Sequence, residues 1–132
     1  MTMPTPADQI DLRHYRMPAE WEPHDWLWIG FPWNVDEWGD AQTLTRAQEQ
    51  IAAFADAIRA DGKGEHVRLV CNDSVSAGRA RALLRSDSEI VIEPIGDVWL
   101  RDTGPICLID DRGQRVLRDF AFNGWEIGRA HV

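Results

Sequence analysis

The segment Asp97-Val-Trp-Leu-Arg-Asp-Thr-Gly-Pro105 places two carboxylates, a guanidinium and an indole in one short stretch that has to bend. A carboxylate beside an aromatic face suits a planar cation. The N–H groups of a guanidinium match the two oxygens of a carboxylate, and its flat face stacks on a ring. The preceding residues, 89–94, are rich in β-branched side chains and end at Pro94 and Gly96, so they read as a strand. Residues 106–109 read as the next strand, closed by Asp110-Asp111-Arg112-Gly113. The acids therefore fall in a loop at a strand end, where a rigid scaffold displays chemistry. A plainer arrangement uses the same residues for structure alone: Asp102 caps the turn, Arg101 pairs with Asp97, and Trp99 fills core.

Other elements have to hold that loop in place. Residues 27–31 read as a first strand, apolar on both faces and therefore interior. A loop over 32–39 follows, holding Trp33, Asp36 and Trp38. From 41 to 61 the residues Leu44, Ala47, Ile51, Phe54, Ala55 and Ile58 share one helical stripe. Asp40 is its expected N-cap, and Gly62 and Gly64 its stop. Residues 66–71 form a buried strand with Val67, Leu69 and Cys71 facing one way, and Asn72-Asp73-Ser74 caps a second helix over 74–86. Strands at 89–93, 105–109 and 114–122 complete the pattern, which predicts an α/β arrangement with mixed strand directions. Five of the seven tryptophans lie between residues 21 and 38. Trp21, Trp26 and Trp28 are expected in core and interface packing. Trp33, Asp36 and Trp38, beyond a strand end, are further candidates for lining the mouth of a ligand site, Asp36 and Trp38 for touching the ligand.

At 132 residues the chain is one compact domain or part of a larger one. A formal net charge of -8 with no basic patch argues against a nucleic-acid phosphate-binding face, so no nucleic acid is expected; small cations fit the acidic balance. No apolar run approaches the length of a membrane span, and residues 1–16 are polar and irregular, without the charged and apolar regions of a secretion signal. A cytoplasmic protein with no membrane partner is the expectation. The two cysteines, Cys71 and Cys107, sit in apolar strand-like surroundings and are expected to be free thiols in a reducing compartment. His14 and His66 show no partner spacing for metal or acid–base work, so no metal is expected.

These residues also carry a resemblance. GDVWLRDTGP (residues 96–105) resembles the signature of the agmatine deiminase family, which is related to bacterial peptidyl-arginine deiminases. MPAEWEPHDWLWIGFPWNVDEW (17–38) is similar to the family's opening, and DFAFNGW (119–125) to a third family segment. The three matches come in order and span residues 17 to 125. The resemblance implies the pentein fold, a five-bladed α/β propeller of which this chain would supply the first blade and part of the second. It implies hydrolysis of agmatine to N-carbamoylputrescine and ammonia, for putrescine synthesis, with no cofactor and with a small cationic guanidine as partner. The complete protein would be a candidate homo-oligomer. Asp102 matches the acid that orients the guanidinium, and Trp99 the aromatic wall beside it. Asp97 and Arg101 are assigned to fixing the loop, and His24 to a structural hydrogen bond. Asn123 and Trp125 belong to the third segment and would brace the site.

Deimination also needs a thiolate to attack the central carbon and a histidine to move protons. The resemblance puts the nucleophilic cysteine and the catalytic histidine beyond this chain, so neither Cys71 nor Cys107 is expected to attack, and the chain alone is expected to be inactive. Two other readings are kept: a peptidyl-arginine deiminase-like hydrolase, and a non-catalytic guanidinium- or amine-binding module. The last residues depart from the family pattern. Ile127-Gly-Arg-Ala-His-Val132 back-translates as ATC GGA AGA GCA CAC GTC, the start of a common sequencing adapter. Residues 126–132 are therefore expected to be a non-native tail, the alternative being a genuine divergent end. The expected organisation is 1–16 irregular, 17–125 the N-terminal part of a deiminase domain, and 126–132 this tail.

Overall fold

The computed structural model describes residues 10–120. In chain order it contains β1 (Tyr15–Arg16), β2 (Leu27–Gly30), α1 (Val35–Trp38), α2 (Ala41–Arg59), β3 (Val67–Cys71), α3 (Ser74–Leu83), β4 (Glu89–Ile92), α4 (Leu100–Thr103), β5 (Ile106–Asp110) and β6 (Arg115–Arg118). The expected tail at 126–132, and Asn123 and Trp125, lie outside the described residues. The chain divides into two compact units, Pro23–Asp102 and a second made of Met1–Glu22 with Thr103–Val132.

In the Pro23–Asp102 unit, β2, β3 and β4 form a parallel sheet in that order. Parallel neighbours need long crossovers. Those between β2 and β3 carry α1 and α2, and the one between β3 and β4 carries α3. The register lines up Ile29, Leu69 and Ile90 across the three strands. Phe31, Val67 and Cys71 join them on the same face, and Ala55 of α2 with Ala77 and Ala80 of α3 close over it. Alanines on the contact face let both helices approach the sheet closely.

Helix ends follow side-chain chemistry. Asp40 Oδ1 accepts the Thr43 N–H at 2.6 Å, the expected N-cap. Asp73 and Ser76 form a reciprocal capping box at the start of α3. Ala60 and Asp61 turn the chain out of α2 with left-handed φ of 44° and 53°, followed by Gly62 at 85°. Helix α3 stops at Leu83, short of the expected residue 86. Asp56 of α2 takes the Arg85 and Ser86 N–H groups, so the chain beyond Leu84 is bound to α2 instead of continuing the helix.

Three burial expectations need correction. The first strand is not covered on both faces: Trp28 alternates with Ile29 and is 49% exposed. Trp21 and Trp26 are likewise exposed rather than core. On α2 the buried residues are Ala47, Gln48, Ala52, Ala55 and Arg59, while Phe54 is 55% exposed. The stripe is turned because Gln48 and Arg59 have polar partners that hydrophobicity cannot show. Gln48 Nε2 donates to the Pro32 carbonyl at 3.0 Å, and Arg59 is paired with Asp87 at 2.6 Å.

In the second unit β5 lies between β1 and β6, antiparallel to both. Residues 1–16 are thus not irregular throughout. A 3-10 turn over Leu12–His14 leads into β1, where Tyr15 faces Asp110 and Arg16 faces Ile109. A two-residue strand is too short to carry a sequence period, and it exists only by pairing with a distant segment. The turn at Asp110–Gly113 forms as expected: Asp110 Oδ1 accepts the Arg112 and Gln114 N–H groups, and Gly113 takes φ 76°.

Candidate guanidinium site

Parallel α/β sheets present ligand sites beyond the carboxyl ends of their strands. The Asp97 segment lies there, following β4. Its seat is the last residue of β2: a Cβ on Gly30 would stand 2.8 Å from Val98 Cα and 2.9 Å from Val98 O. Only glycine lets the two backbones approach so closely. The same loop is held at Ile95. Its N–H donates to Asn72 Oδ1 at 3.1 Å, and its carbonyl accepts the Trp33 Nε1–H at 2.9 Å. Asn72 follows β3 and Trp33 follows β2, so residues beyond the other two strands of the sheet grip one residue of the loop.

Downstream the chain winds into α4. Asp97 Oδ1 accepts the Val98 N–H at 2.6 Å, the Leu100 N–H donates to the Val98 carbonyl at 2.8 Å, and the Asp102 N–H to the Trp99 carbonyl at 3.1 Å. These bonds curl the backbone so that Trp99 and Asp102 share one turn. Trp99 is 56% exposed and Asp102 is exposed, so Trp99 is not a core residue of its unit and the purely structural reading does not hold for it. Asp97 is half-buried, and its Oδ1 is engaged by the adjacent N–H within the loop. An exposed carboxylate and an exposed indole on one turn can grip a guanidinium edge-on and face-on.

Asp36 and Trp38 lie on α1, a single turn where a loop was expected. Asn34 caps it by accepting the Asp36 N–H at 3.2 Å, leaving the Asp36 carboxylate exposed and Trp38 half-buried. Both follow β2 at its carboxyl end, on the stretch whose Trp33 is tied to the Asp97 loop.

Cys71 ends β3 fully buried, and that burial, with Asp73 nearby, pushes its thiol up to about 11. A thiol held so high stays protonated at neutral pH, which disfavours attack by Cys71. Cys107 is a half-buried residue of β5, in the second unit. His24 Nδ1 lies 3.5 Å from Glu65 Oε1, and His66 tilts against the Trp26 ring at 5.5 Å. His14 closes the 3-10 turn before β1. Among the described residues no three His, Cys, Asp or Glu side chains gather as metal ligands. No helix among them is long and apolar enough to cross a membrane.

Sequence reading missed Gly30, Asn72 and the Trp33 indole N–H as parts of this site. The sequence places Asn72 in a helix cap, a role that Asp73 and Ser76 fill without it.

The chain belongs to the Porphyromonas-type peptidyl-arginine deiminase family, whose profile it matches over residues 16–131. It is 37% identical over 126 residues to an agmatine deiminase of Pseudomonas aeruginosa, covering 95% of this chain and 32% of that protein. The structure is similar to the agmatine deiminase of Enterococcus faecalis, with a TM-score of 0.68 at 25% identity, over 89% of this chain and 29% of that one. The fold also matches a C. jejuni agmatine deiminase at TM-score 0.68 and 18% identity, over 89% of this chain and 35% of that one. The chain thus spans about a third of the length of these relatives.

Proposed function

We propose that this chain is the substrate-orienting part of a cytoplasmic, pentein-type guanidine deiminase that hydrolyses agmatine to N-carbamoylputrescine and ammonia. The observation that carries this reading is the exposed Trp99–Asp102 pair on a single pinned turn at the carboxyl edge of the parallel sheet. The agmatine deiminase relatives support the substrate. In this reading the Asp102 carboxylate accepts guanidinium N–H groups and fixes the plane of the cation, and Trp99 covers its face. Asp36 and Trp38 stand toward the amine end of the ligand. The attacking thiolate and the proton-carrying histidine come from elsewhere in the complete enzyme. No cofactor is required by this chemistry, and homo-oligomerisation is part of the proposal for the complete protein.

A second reading, deimination of arginine within a peptide, is favoured by the description of the family itself. Assaying ammonia release by the complete enzyme from agmatine and from a blocked arginine peptide separates the two. Agmatine should be the better substrate. In the same assay Asp102→Asn should lower kcat/KM by about two to four decades, because an amide turns a donor toward a donor-only cation. Trp99→Phe should cost on the order of tenfold, since an aromatic face remains. Near-normal kinetics in Asp102→Asn would remove the acid from the site.

A further inference from the structure

The two bonds at Ile95 do more than close a loop. Ile95 precedes Asp97, Trp99 and Asp102 in one short segment, and both of its backbone polar groups are taken by side chains from other strand ends. Both side chains come from stretches that are tied to the helices. Asn72 Nδ2 donates to Asp73 Oδ2 at 3.2 Å, and Asp73 Oδ1 accepts the Ser76 N–H at 2.7 Å at the start of α3. On the other side, the Pro32 carbonyl next to Trp33 accepts from buried Gln48 of α2, whose Oε1 accepts the Arg79 Nε–H of α3 at 3.4 Å. Both helices are therefore linked, through the Pro32–Trp33 stretch and through Asn72, to one residue upstream of the acid–aromatic turn. Helix α3 does not need Asn72, because Asp73 and Ser76 complete its capping box without it. The Asn72 carbonyl oxygen is committed to a residue of the loop, far away in sequence.

We propose that Asn72 and Trp33 are positioning residues: they preorganise the turn that carries Trp99 and Asp102, so that the guanidinium meets a site already in place. The inference rests on the reading of Trp99 and Asp102 as the guanidinium's partners. Its physical content is a population. If the pinned arrangement is only a fraction of the ensemble, the apparent dissociation constant rises by the inverse of that fraction. Chemistry in the bound state is unaffected, because the bound geometry is the same. KM should rise while kcat holds. A residue that only stabilised the fold would act differently. Its loss would lower the amount of active enzyme, which depresses apparent kcat and leaves KM alone.

The test uses the complete enzyme, with agmatine as the probe and the variants Asn72→Ala, Trp33→Phe and Asp102→Asn. Trp33→Phe keeps the ring and removes only the N–H donor, so it carries the test alone if Asn72→Ala does not fold. The expected result is a KM about tenfold higher for both positioning variants, with kcat within about twofold of the parent. Hydrogen exchange should quicken at the amides of residues 95–102 and stay unchanged in β3. An unchanged KM in the folded variants overturns the inference, whatever happens to kcat. Asp102→Asn separates this failure from a failure of the underlying reading. If Asp102→Asn loses turnover while the other two keep their KM, only the positioning role falls. If Asp102→Asn keeps parental kinetics, the guanidinium site itself is wrong and the inference falls with it.

Discussion

Two rows of residues cross the same parallel sheet one position apart and are held by different forces. Ile29, Leu69 and Ile90 lie beneath the helices. Trp28, Arg68 and Glu89 lie on the opposite face. There the Arg68 guanidinium sits 3.5 Å from the Trp26 ring centroid and 5.2 Å from that of Trp28, and its Nε lies 2.7 Å from Glu89 Oε2. The first row is stabilised by leaving water, the second by an arginine held between rings and a carboxylate. The second row also shows, inside the molecule, the grip proposed for a guanidinium at Trp99 and Asp102. Strand register builds it on the sheet face, whereas at the carboxyl edge the same partners are brought together by a pinned turn.

If that division is right, the largest effect belongs to the covered row. Leu69 is fully buried, so Leu69→Ala should cost about 3 kcal/mol from lost transfer energy and the cavity left behind. The check is a lower denaturant midpoint at unchanged slope. A cost under about 1 kcal/mol would mean that the helices do not seal this face.

Next is Gly30, where β2 meets the Asp97 loop. The atoms a Cβ would strike belong to the Val98 backbone, which cannot rotate away as a side chain could. Gly30→Ala should cost about 2 kcal/mol and displace the loop. In the complete enzyme it should also raise KM more than it lowers stability would suggest. Normal substrate affinity in a folded Gly30→Ala protein would detach the loop's seat from its function.

Much of this was legible in the sequence, for identifiable reasons. The strands and the two long helices announce themselves because period, β-branching and caps are local; β2, β3, β4, β5 and α2 fall within a few residues of expectation. Asp102 and Trp99 stood out because an acid, an aromatic and turn residues are adjacent in the chain. What was hidden depends on distant partners. Gln48 and Arg59 are buried with polar partners at Pro32 and Asp87, which turns the buried stripe of α2 away from Phe54. Strand β1 exists through its pairing with β5, and Asn72 acquires its role from Ile95. Trp26 and Trp28 were expected in core and interface packing; the alternation of β2 puts Trp28 on the face where Arg68 lies, and Trp26 meets the same guanidinium.

A smaller effect is expected in that exposed row. Arg68→Ala removes one ion pair and the contacts with two rings, all partly open to water, and should cost about 1 kcal/mol. The loss should shrink as salt is added, because screening already weakens the charge pair in the parent. Tryptophan emission should shift at the same time, since Trp26 and Trp28 lose their cation. A cost matching that of Leu69→Ala would erase the contrast between the two faces.

The smallest effect concerns the layer that creates the covered face. Asp56 of α2 accepts the N–H groups of Arg85 and Ser86 and ties the end of α3 to α2. Burial raises its pKa, but the bonds from Ser86 and Arg85 lower it more, so the folded value lies below the ordinary one. A depressed folded pKa means that the unfolded chain binds the proton more tightly. The carboxylate then contributes stability above the unfolded value, near pH 4, and the contribution fades as pH falls through the folded value. Asp56→Asn should accordingly lower the melting temperature at pH 7 by a few degrees at most. The gap between variant and parent should close on acidification below about pH 4, where the parent's carboxylate becomes protonated too. A gap that stayed constant from pH 7 down to about pH 2.5 would mean that the tie between α2 and α3 owes nothing to the Asp56 charge.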